Sequence, residues 1–93
     1  MKHYIVVKFI ESFDYKNRIP EITDIFNRTL EINGINAVCV KPSNSCRENR
    51  YDLMIEIDME KSALSSYDSS APHREWKETF GGYISHKAIF DCD

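Results

Sequence analysis

The residues from His3 to Ile10 alternate with a period of two: His3, Ile5, Val7 and Phe9 on one side, Tyr4, Val6, Lys8 and Ile10 on the other. Both sides are largely apolar, so this strand needs cover on both. A chain of 93 residues buries only a modest fraction of its surface. Its own helices are expected to cover one side, and a second copy of the chain the other.

The remaining segments fit that requirement. Ile19-Pro20 opens a helix, because the missing N–H of Pro20 would be unpaired in the first turn. Ile19, Ile22, Ile25, Phe26, Thr29 and Leu30 form its apolar stripe, and Gly34 suits its end. Strands are predicted over Ile35–Val40, Tyr51–Met59 and Tyr83–Phe90, with a polar loop over Ser43–Arg50. In the last strand Ile84, His86, Ala88 and Phe90 alternate with Ser85, Lys87 and Ile89. Between the last two strands, a short helix carrying Ala63, Leu64 and Tyr67 on one face is interrupted at Ser69-Ser70-Ala71-Pro72. A second segment then places His73, Trp76 and Phe80 at i, i+3 and i+7, so His73 faces inward, and Gly81-Gly82 stop it. The order is βαββαβ: an α+β, ferredoxin-like single domain over residues 1–93, with a four-stranded antiparallel sheet and both helices on one face. Two such sheets meeting face to face give a homodimer through the open sheet face, an α+β barrel.

Composition narrows the function classes. Hydrophobic content of 42% and charged content of 29% are those of a globular protein, and a net charge of −3 offers nucleic acid no basic footprint. The N-terminal apolar run, Tyr4–Val7, is too short for a signal or a membrane span, so no membrane partner and a cytoplasmic location are expected. Cys39, Cys46 and Cys92 are odd in number and lack a CxxC pair, which points to reduced thiols. Arg47 and Arg50 beside Cys46 favour a thiolate, but no base accompanies it. His3, His73 and His86 have no spacing that fixes two metal ligands on one element, and no metal or other cofactor is called for. Arg47, Arg50 and Arg74 are scattered and read as solvated surface.

Five stretches resemble the stress-responsive A/B barrel (Dabb) family of small dimeric α+β barrels. They are His3-Tyr4-Ile5-Val6-Val7-Lys8-Phe9, Ile32-Asn33-Gly34-Ile35, Asn44-Ser45 with Tyr51-Asp52-Leu53, the segment Tyr67 to His73, and Phe90-Asp91. In the fourth, Tyr67 and His73 keep the family spacing, Ser70 stands where the family has a first His, and the proline falls at Pro72 rather than at Ala71. Some members, among them a plant polyketide cyclase, use the residues matching His3, Tyr67 and His73 in their pocket. The resemblance thus implies His73 as general base or acid, Tyr67 as donor to a developing oxyanion, and His3 as an orienting or oxygen-binding group. Phe26, Leu30, Trp76 and Phe80 would wall a pocket for a small hydrophobic or aromatic ligand. The activity so implied is a cofactor-independent cyclase or lyase acting next to a carbonyl of a polyketide-like compound. The alternative is a non-catalytic dimeric stress-response or binding protein, in which the rings fill the pocket and satisfy one another.

Overall fold

In a computed structural model, which describes all 93 residues, β1 (Lys2–Phe9) runs through the middle of a four-stranded sheet of order β2-β3-β1-β4. Its neighbours are β3 (Leu53–Met59) and β4 (Ile84–Cys92), and β2 (Ile35–Pro42) pairs with β3; every pairing is antiparallel. The period-two pattern of β1 and β3 is what sets this register. His3, Ile5, Val7 and Phe9 are buried beside Leu53, Ile55, Ile57 and Met59, and a one-residue slip would turn the whole set to the other face.

Three helices cover that inner face. In α1 (Ile19–Asn27) Pro20 sits in the first turn, and Ile22, Ile25 and Phe26 are buried. The helix tightens into a 3-10 turn over Arg28–Glu31, where the Thr29 hydroxyl donates to the Phe26 carbonyl at 2.5 Å. A 3-10 turn over Lys61–Ala63 leads into α2 (Leu64–Asp68), and α3 (Ala71–Phe80) follows. α1 and α3 meet through Phe26 and Trp76, edge to face with centroids 5.1 Å apart, and through the Arg28–Glu75 ion pair. At the Phe9 end of the sheet Phe13 stacks on Tyr83 at 4.1 Å, touches Phe80 at 6.2 Å, and sits 5.2 Å from Phe9. α3 therefore runs the same way as β1, from the His3 end to the Phe9 end.

The ferredoxin-like α+β fold expected from the sequence is present, with two differences of detail. The outer strands are longer than the residue pattern indicated, reaching Pro42 and Cys92. A bulge also shifts the phase of β4: Lys8 pairs with His86 but Phe9 pairs with Ile84, and the extra residue, Ser85, donates its hydroxyl to the Lys8 carbonyl at 3.1 Å. Ile84 thus packs on the core, whereas His86, Ala88 and Phe90 lie on the open face, opposite Lys8, Val6 and Tyr4. The sequence placed these four residues on one side because strict alternation has no room for an inserted residue. On that open face Phe90 is 62% exposed, with its ring 6.4 Å from that of Tyr4.

Gly34 turns the chain into β2 with φ of 94°, a left-handed conformation, and a Cβ there would meet the Ala63 Cβ at 3.0 Å. Replacing Gly34→Ala therefore combines backbone strain with a close approach. We expect it to cost about 1–3 kcal/mol, read as a lower urea midpoint at an unchanged slope.

Candidate functional site

The break between α2 and α3 is organised by Ser70. Its backbone is extended (φ −75°, ψ 157°) as the N-cap of α3, its side chain accepts from the His73 N–H at 3.3 Å, and its hydroxyl donates to the Tyr67 carbonyl at 2.7 Å. With Pro72 in the first turn of α3, the proline falls where it disturbs no helical bond. Ser70 thus ends one helix and begins the next, leaving Tyr67 and His73 ring to ring at 4.8 Å.

The His73 ring is anchored too. Its Nδ1 lies 2.8 Å from the Asp68 carbonyl, and a carbonyl only accepts, so Nδ1 carries the proton and the neutral ring keeps its lone pair on Nε2. His3 is held in the same manner from the sheet. It is 5% exposed, and its Nδ1 lies 2.5 Å from a carboxylate oxygen of Asp91, the residue facing it across the β1–β4 ladder. The carboxylate accepts, so His3 also donates from Nδ1 and leaves Nε2 for another partner. The His3 ring lies edge-on to Tyr67, with centroids 5.5 Å apart. Tyr67 therefore sits between two imidazoles whose Nδ1 atoms are already engaged.

Tyr67 itself is 1% exposed, and its hydroxyl has no hydrogen-bond partner. A buried hydroxyl without a partner costs about 1–3 kcal/mol, and that of Tyr67 lies just behind the two rings that face the cleft. Burial, and then the nearby Asp68 carboxylate, push the phenol well above its usual range. The group stays protonated at working pH, as a donor rather than a base.

These residues border an open cleft of about 320 Å³ between β4 and the α2–α3 pair. His3, Tyr67, His73 and Trp76 line it, with Ile5, Leu64 and Ile89 as apolar wall. Phe26, Leu30 and Phe80 do not. Phe26 and Phe80 are fully buried in the core between α1 and α3, and Leu30, 45% exposed, lies on the turn after α1, away from the cleft. The helical spacing that gave these residues a common stripe with their neighbours could not separate core from wall. His86 is on the opposite sheet face, its Nδ1 3.1 Å from the Ser85 hydroxyl, and so is not grouped with His3 and His73. Cys39 and Cys46 are exposed, and Cys92 is half-buried. A larger hollow of about 660 Å³ lies at the Phe9 end, against the loop carrying Cys46 and Arg47, and contains no imidazole. The titratable side chains singled out in the sequence converge instead on the smaller cleft. The residue that the sequence did not single out is Asp91. Its signal was the antiparallel pairing of the two ends of the chain, which the displaced phase of β4 obscured.

With four antiparallel strands and helices on one face, the molecule is a ferredoxin-like α+β protein. No family model matches the chain, and no curated protein matches it. Solved structures with the same fold include the Arabidopsis thaliana protein At3g17210, 21% identical over 99% of this chain and 92% of that one with a TM-score of 0.78. A dimeric ferredoxin-like protein of unknown function from Thermobifida fusca is 9% identical over 96% and 85%, with a TM-score of 0.80. A Dabb family protein with a ferredoxin-like fold from Mesorhizobium loti is 12% identical over 99% and 93%, with a TM-score of 0.73. No helix of the chain is long and apolar enough to cross a membrane.

The raised position of Tyr67 has a signed consequence for stability. Below the ordinary tyrosine value of 10.0 both folded and unfolded chains keep the proton; above it the unfolded chain loses its proton while the buried phenol does not, so stability falls as pH rises. Tyr67→Phe removes this contribution. Its unfolding free energy should decline less steeply than that of the parent above about pH 10, as followed by urea titrations at successive pH values.

Proposed function

We propose that the chain is a Dabb-like small-molecule-binding protein whose cleft carries cofactor-independent proton-transfer chemistry on a carbonyl compound. The observation that carries this reading is the convergence of Tyr67 and two anchored imidazoles, His3 and His73, on one open cleft. In the cyclase form of the reaction, Nε2 of His73 takes a proton from the carbon next to a carbonyl. The electron pair moves onto the carbonyl oxygen, where the Tyr67 hydroxyl donates to it. The enolate carbon then attacks a second carbonyl of the same molecule. A carbon–carbon bond forms, and the second oxygen takes the proton back from the imidazolium. His3, held by Asp91, accepts at Nε2 from a substrate hydroxyl, and Trp76, Ile5 and Ile89 receive the apolar part of the molecule.

A thermal-shift screen of small carbonyl and aromatic compounds tests binding, since a ligand of the folded form raises its melting temperature. For a hit that is turned over, His73→Gln should lower kcat by about 10²–10⁴-fold, and Tyr67→Phe should lower it while leaving the fold intact. Turnover that survives His73→Gln refutes the general-base role. Ligand binding without turnover instead favours the non-catalytic binding protein.

We further infer a homodimer through the open sheet face, where Tyr4, Val6, Met54, Ala88 and Phe90 form an apolar band beside the Lys2–Glu56 and Lys41–Glu56 pairs. The Thermobifida fusca protein of the same fold is dimeric. Sedimentation should give a species of twice the 10.9 kDa chain mass, and Phe90→Arg should yield a folded monomer. A parent chain that sediments only as a monomer at micromolar concentration overturns the assembly.

A further inference from the structure

The cleft is not uniform along its length. At one end β1 and β4 bring His3 opposite Asp91, and Tyr67 and Asp68 lie there too. In the middle, Ile5 faces Ile89. At the other end are Lys87, which pairs with Val7, and Lys77, one helical turn beyond His73 on α3. Because α3 runs the same way as β1, the two lysines are displaced from the imidazoles in the same direction. The displacement is about 13 Å along the strand from Asp91 to Lys87, and about 6 Å along the helix from His73 to Lys77. The two acidic residues of the lining, Asp68 and Asp91, belong to the first end, and Asp91 is already engaged by His3.

Neither lysine has an acidic partner. Lys2, Lys41 and Lys61 join ion pairs, and Lys8 donates to the Arg50 carbonyl; Lys16, which does not line the cleft, Lys77 and Lys87 do neither. Two exposed lysines without ion-pair partners thus line one cleft, one from a helix and one from a strand. Two like charges on facing walls repel each other, and an anion between them turns that repulsion into two attractions; because both side chains are exposed, the effect is one that salt screens.

We propose that Lys77 and Lys87 are the specificity determinants of this cleft, selecting a small amphipathic carboxylic acid: an apolar or aromatic body lying over Ile5, Ile89 and Trp76, with its carboxylate held between the two lysines and its far end delivered to His3, Tyr67 and His73. This rests on the reading of the cleft as a small-molecule site. It adds the charge of the ligand and the direction in which the ligand lies.

The test uses matched pairs of acid and primary amide: phenylacetate with phenylacetamide, 4-phenylbutanoate with 4-phenylbutanamide, and 1-naphthaleneacetate with 1-naphthaleneacetamide. Isothermal titration calorimetry with the full chain gives the affinity ratio within each pair. At least one acid should bind about tenfold or more tightly than its amide, and the preference should shrink as salt is raised. In Lys77→Met/Lys87→Met, which keeps the apolar stems, the ratio should fall close to one while the amide binds as before; Lys77→Arg/Lys87→Arg should restore the preference. Amides that bind the parent as tightly as their acids overturn the inference and leave the small-molecule reading standing. So does an acid preference that survives in a folded double methionine variant. If no member of the panel binds the parent, the cleft takes neither kind of ligand, and the small-molecule reading and the inference fall together.

Discussion

The architecture depends on the pairing of β1 with both of its neighbours, and on the one polar ring that this pairing buries. Ile5, Val7 and Phe9 drive the inner face of the strand under the helices, and His3 is carried in with them because alternation allows no other choice. A buried imidazole needs a partner for its N–H. The β1–β4 register supplies it by bringing Asp91, from the other end of the chain, to 2.5 Å. Packing and site chemistry are thus satisfied by the same register. A slip of β4 by one residue would remove the Asp91 carboxylate from His3 and turn Phe90 inward.

The helical half of the site is assembled by different means. Tyr67 and His73 are six positions apart, with a helix end and a helix start between them, and the hydrogen bonds that set their relative position are local: Ser70 to the Tyr67 carbonyl, the His73 N–H to Ser70, and the His73 ring to the Asp68 carbonyl. The Ser70 side chain that stands where the Dabb-like pattern has a histidine therefore serves as the cap of α3. The proline one position later is compatible with that cap, because Ala71 and Pro72 are the first two residues of the helix.

Much of this was legible in the residues. The double-sided alternation of β1, the stripe of α1, the alternation of β3 and the inward position of His73 follow from local periodicity, which side-chain burial enforces. What escaped depends on contacts between distant segments. The Ser85 bulge reverses the expected phase of β4, and with it the identity of the groups facing the cleft: Lys87, Ile89 and Asp91 rather than His86, Ala88 and Phe90. Phe80 shares the apolar face of α3 with His73 and Trp76, which line the cleft, yet α1 and α3 pack closely enough to seal both Phe80 and Phe26 of α1 inside. Periodicity tells which side of an element is covered, and not whether another side chain or an opening covers it.

Ser70 gives the site a mechanical character. Its hydroxyl fastens Tyr67 and His73 into one hydrogen-bonded unit on the helices, while His3 and Asp91 form a second unit on the sheet; edge-on ring contact, rather than a hydrogen bond, joins the two. What holds the two units at a fixed spacing is the core that Tyr67, Trp76 and Phe80 share with Ile5, Ile55 and Ile57, so the width of the cleft is set by apolar packing and the orientation of its imidazoles by hydrogen bonds.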